Sequence, residues 1–68
     1  MELDLHGVRH HEVDRLVENF IYLNQDLVPL TIICGNSQRM IDLVTEVTDR
    51  IGCETTRLHY GTIVIGRV

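Results

Sequence analysis

Residues 30–52 constrain the architecture more than any other stretch. The run Leu30-Thr31-Ile32-Ile33-Cys34 is β-branched and almost wholly apolar, which suits a central strand covered on at least one face. Gly35-Asn36-Ser37 then makes a sharp polar turn, and Met40, Ile41, Val44, Val47 and Ile51 recur at helical spacing. Asn36 or Ser37 is available as the N-cap and Gly52 as the left-handed stop, so the pattern predicts a helix from about Gln38 to Ile51. A strand feeding directly into a helix must be followed by a return to the sheet.

The flanking segments supply the rest of that sheet. Glu2-Leu3-Asp4-Leu5-His6 alternates polar and apolar, which predicts a strand with Leu3 and Leu5 on one face and Asp4 and His6 on the other. After Gly7, the residues Val13, Leu16, Val17, Phe20, Ile21 and Leu23 form a helical stripe, predicting a helix over about His10 to Asn24. Its start is weak, because Arg9 and His10 lack the short side-chain oxygen that caps free amides. Cys53 to Leu58 and Thr62 to Gly66 read as two more strands. The short turn Leu58-His59-Tyr60-Gly61 between them forces an antiparallel pair. The order is β-α-β-α-β-β: a two-layer α/β domain with a four-stranded mixed sheet, the last strand antiparallel and inside the sheet. Right-handed crossovers running one way put both helices on one face.

At 68 residues there is room for one domain, spanning residues 1–68. A chain of this size buries only about 60% of its extended surface, which gives dimerisation a reason to occur. With 44% hydrophobic residues and one proline, the chain does not read as a disordered tract. Ten acids against six bases, every base an arginine, disfavour nonspecific attraction to a phosphate backbone but leave a local arginine-lined site open. No apolar run approaches the ~20 residues that span a bilayer, and no leader pattern precedes the first strand, so a cytoplasmic protein without membrane partners is expected. Cys34 and Cys53 match neither a disulfide framework nor a compact metal motif.

Leu3-Asp4-Leu5-His6-Gly7 before a helix, Ile33-Cys34-Gly35-Asn36-Ser37 before a second, and Gly61-Thr62-Ile63-Val64 near the end resemble the Smr domain, the small MutS-related domain. The resemblance runs in the same order over nearly the whole chain. It implies a βαβαββ module that binds nucleic acid and, as in many members, nicks DNA or cleaves RNA. It also implies functional roles for Asp4 and His6. In the second motif this chain has Cys34 at the position commonly histidine or threonine, keeps Gly35, has Asn36 at the variable position and replaces the last glycine by Ser37. Its final loop is shorter than the glycine-rich loop common in that family.

The chemistry of these residue types can be set out site by site. Two residues apart on a strand, Asp4 and His6 would have α-carbons about 6.5 Å apart and converging side chains. His6 would then exchange a proton, with Asp4 orienting it, polarising a nucleophile or helping to hold magnesium or manganese. The bland alternative is a strand end in which Asp4 accepts turn amides. Gly35, Asn36 and Ser37 precede four free helix amides and form a phosphate cradle or an ordinary cap. Arg39 would meet a phosphate or pair with Asp42. Arg57, His59 and Tyr60 are candidate substrate contacts, Tyr60 by stacking on a base and His59 by proton transfer. His10 and His11 diverge by about 100° on a helix and read as exposed residues rather than as metal ligands with His6.

Phosphodiester cleavage would proceed without metal on RNA, whose 2′-hydroxyl is an internal nucleophile, whereas DNA requires activated water, with a divalent ion near Asp4. The alternative class is a noncatalytic module that binds nucleic acid or protein, as a homodimer or with a partner that supplies basic surface.

Overall fold

The computed structural model describes residues 1–68. Strand β1 spans Glu2–Asp4, helix α1 His10–Leu23, strand β2 Leu30–Ile33, helix α2 Gln38–Ile51, strand β3 Glu54–His59 and strand β4 Thr62–Arg67; a 3₁₀ turn, Gln25–Leu27, links α1 to β2. The strand order is β1-β2-β4-β3. β1 runs parallel to β2, and β4 runs antiparallel to both of its neighbours. The fold is therefore a small α/β domain with a four-stranded mixed sheet and both helices packed on one face.

Register explains the layer structure. Leu30 stands opposite Ile65, and Ile32 opposite both Leu3 and Ile63. Paired residues share a sheet face, and these carry the core: Leu30, Ile32, Ile63 and Ile65 are buried and Leu3 packs against them. Asp4, Thr31, Ile33 and Val64 fall on the other face, which no helix covers. The alternation is that of a sheet protected on one side.

The helices meet this face along narrow lines. In α1 the buried residues are Val13, Val17 and Ile21, spaced by four. Leu16 and Leu23, which the helical stripe places inward, instead lie 36% and 82% exposed. Leu16 lines an exposed groove shared with Arg50 of α2. In α2 the buried set is Met40, Ile41, Val44, Val47 and Thr48. Thr48 is the polar exception, and its hydroxyl donates to the Thr45 carbonyl at 3.0 Å, so no buried side-chain nitrogen or oxygen lacks a partner.

The caps follow the sequence. Ser37 accepts the Met40 amide at 3.2 Å, and Gly52 closes α2 in the left-handed region. Arg9 precedes α1 in extended conformation and makes no side-chain cap. The bounds of three strands differ from expectation. β1 ends at Asp4, because the Asp4 carboxylate accepts the backbone amide of His6 at 2.9 Å and the chain turns through Gly7 at φ 79°. His6 is therefore a turn residue. β3 runs on through His59, leaving only Tyr60 and Gly61 to make the hairpin turn, and β4 extends to Arg67. No helix is long and apolar enough to cross a membrane.

Candidate phosphate recess

Adjacent parallel strands deliver their carboxyl ends to the same pole of a sheet, where connecting turns leave a crevice. Here the turn after β1 and the turn after β2 face each other across a recess of about 240 Å³. Leu5, His6, Gly7 and His10 line one side, and Cys34, Gly35, Asn36, Ser37 and Met40 the other. The first side is anchored from below. Leu5 is buried, its amide donates to the Ile33 carbonyl at 2.9 Å, and its own carbonyl accepts the Val8 amide at 3.0 Å.

The recess lies at the start of both helices, since His10 opens α1 and Ser37 caps α2. Helix starts carry free amides and the positive end of the helix dipole. None of the nine lining residues is acidic. The volume falls below the usual range for drug-sized ligands and leaves room for a phosphate group.

The hairpin closes against the second side. The Cys34 amide donates to the Gly61 carbonyl at 2.7 Å, and the Tyr60 hydroxyl donates to the Gln38 side-chain oxygen at 3.3 Å. Tyr60 thus reaches the first turn of α2 while remaining 55% exposed, an aromatic ring beside the recess. Cys34 is buried, and burial pushes its thiol above the ordinary range while the charge of Arg57 opposes part of that rise. A protonated thiol is a poor nucleophile.

The expected site residues divide accordingly. His6, Gly35, Asn36 and Ser37 line the recess together. Asp4, Arg39, Arg57, His59 and Tyr60 lie outside its lining. Asp4 spends an oxygen on the His6 backbone amide, and so acts on the turn that carries His6 rather than on its ring. Arg39 forms no ion pair with Asp42, which accepts from the Gln38 amide group at 2.9 Å instead. His59 pairs with Thr62 at the end of the edge strand. Asp4 belongs to no group of three or more metal-ligating side chains.

His10 is the lining residue that the sequence reading set aside. The signal that would have found it is the β1–α1 turn: only three residues separate His6 from His10, and once Gly7 reverses the chain both ends of that link face the same space.

A second groove, of about 750 Å³, lies between the outer sides of the helices and is lined by His11, Glu12, Asp14, Arg15, Leu16, Glu18 and Arg50. Arg50 donates to both Asp14 and Glu18, which holds α2 to α1 and strengthens the hold of its guanidinium on its proton. These groups clasp one another on an exposed surface.

No family model, curated protein or solved structure matches the chain.

Proposed function

We propose that this chain is an Smr-like nucleic-acid-binding domain that takes one backbone phosphate into the recess between the β1 and β2 turns and cleaves a phosphodiester there. The observation that supports this reading is the recess itself, where His6 meets Gly35, Asn36 and Ser37 at the start of both helices with no carboxylate in the lining. Backbone amides at the start of α2 steady the anion, and preorganised donors of this kind act most strongly on charge that develops during reaction. His6 transfers a proton. Asp4 fixes the His6 turn through the backbone, a positioning role in place of the tautomer-holding role expected from a shared strand face. Arg39 in the first turn of α2 and Tyr60 beside it extend contact to the neighbouring phosphate and base.

The test is incubation of the purified protein with labelled single-stranded RNA, structured RNA and nicked or branched DNA, with and without magnesium or manganese. A folded His6→Gln variant is expected to bind as the parent does and to cut about 10²- to 10⁴-fold more slowly. Absence of binding to every substrate would refute the reading.

The Asp4 contact favours one second reading, a noncatalytic nucleic-acid-binding module, because the Asp4 carboxylate holds the His6 backbone amide and not its ring. Binding without turnover on all substrates would select it.

A further inference from the structure

We propose that His10 is the second proton-transfer group of the recess, and that with His6 it cleaves RNA through the substrate's own 2′-hydroxyl. This rests on the phosphate-binding reading above and adds a catalytic residue to it.

The argument starts from what the recess contains. Of its nine lining residues, only His6, His10 and Cys34 carry side chains that titrate. Cys34 is buried and its thiol holds its proton more tightly than usual. That leaves two imidazoles, both exposed to solvent. Imidazole is the side chain best suited to exchanging protons near neutrality, and a phosphate in a recess that both of them line has one group to accept a proton and one to donate. His11, the next residue along α1, lines the other groove and is not available. Asp4 is engaged by the His6 amide.

Two such groups match one reaction without a co-reactant. One imidazole takes the proton of the 2′-hydroxyl as that oxygen forms its bond to phosphorus. The other gives a proton to the 5′-oxygen as the P–O5′ bond breaks. The products are a 2′,3′-cyclic phosphate and a free 5′-hydroxyl, and exchange with water resets the pair. A strand lacking the 2′-hydroxyl still seats its phosphate but offers no nucleophile.

The experiment uses the full chain in the presence of EDTA, with a labelled single-stranded RNA, the same RNA carrying 2′-deoxy sugars throughout, and a uridine 3′-(4-nitrophenyl phosphate), whose leaving group needs no proton. Expected are cyclic-phosphate ends on the RNA, binding without cleavage of the deoxy strand, and a loss of about 10²- to 10⁴-fold in RNA cleavage for His10→Gln with unchanged deoxy-strand binding. One of His6→Gln and His10→Gln regains most of its loss on the nitrophenyl substrate and so identifies the proton donor, which a merely structural effect would not do. Cleavage of the deoxy strand, parental cleavage by His10→Gln, equal losses on both substrates for both variants, or intact binding with no RNA cleavage would each overturn the proposal. Failure of the parent to bind either strand would instead overturn the phosphate-binding reading.

Discussion

The α-carbon of Gly61 lies against the backbone of Gly35, at a distance where a methyl group on Gly61 would overlap the Gly35 carbonyl oxygen. The same glycine has φ 85° and accepts the Cys34 amide, so the β3–β4 turn and the recess wall are built as one unit. Backbone here meets backbone, and neither side has a flexible end that can yield.

Gly61→Ala is therefore expected to cost roughly 2–4 kcal/mol, combining left-handed strain with overlap against a fixed carbonyl. Gly7 also has a positive φ, 79°, but faces open space. Gly7→Ala is expected to cost only about 1 kcal/mol. Urea midpoints of the two variants check the contrast, and equal losses would contradict it.

The two helix starts predict opposite responses to capping changes. Ser37→Ala removes the acceptor of the Met40 amide and is expected to cost about 1 kcal/mol. Arg9→Ser supplies an acceptor where α1 has none and is expected to add about 0.5–1 kcal/mol. Thermal unfolding of both variants, with near-unchanged circular dichroism, is the measurement.

Much of this was legible in the sequence, and the limits have physical causes. The extent of α2 followed from two independent signals, the Ser37 cap and the Gly52 stop, which agree with the apolar spacing. The central place of β4 followed from three successive branched residues, Ile63, Val64 and Ile65, which an edge strand seldom carries. Alternation failed at His6 because it reports which face a residue would take if the strand continued, and carries no information on the Asp4 carboxylate ending the strand two residues earlier. His10 was passed over for a related reason. Helical angles separate it from His11, but its nearness to His6 is set by Gly7, outside the helix. Leu16 and Leu23 show that a stripe read from one helix does not reveal how wide a partner surface it meets.

Burial pushes the thiols of both Cys34 and Cys53 upward. The unfolded chain then loses these protons first as pH rises past the ordinary thiol value of about 8.5, so it binds fewer protons than the folded state. Stability is expected to be fully present below that value and to decline above it until the higher folded values are passed. Unfolding in urea at pH 7 and pH 10 measures the decline, and Cys34→Ala should flatten it. An unchanged pH dependence in that variant would show that burial of Cys34 is not its source.

Few cations surround the recess: Arg39 stands in the first turn of α2, and the charge of Arg57 reaches Cys34. With about two phosphate contacts, single-strand binding should weaken with salt at a log–log slope no steeper than about −1.5. Arg39→Ala should reduce that slope by about 0.7. Fluorescence anisotropy across a salt series tests both, and a steep slope would mean that a basic surface beyond these two arginines carries the contact.

The inner strand β4 comes after the other three in chain order. Until residues 62–67 emerge, β2 lacks one of its two neighbours and β3 has none, so the nascent chain holds both helices and an unfinished scaffold with no inner wall. Joining of the two halves of the sheet waits for residues 62–67, because β2 and β3 touch only through that strand.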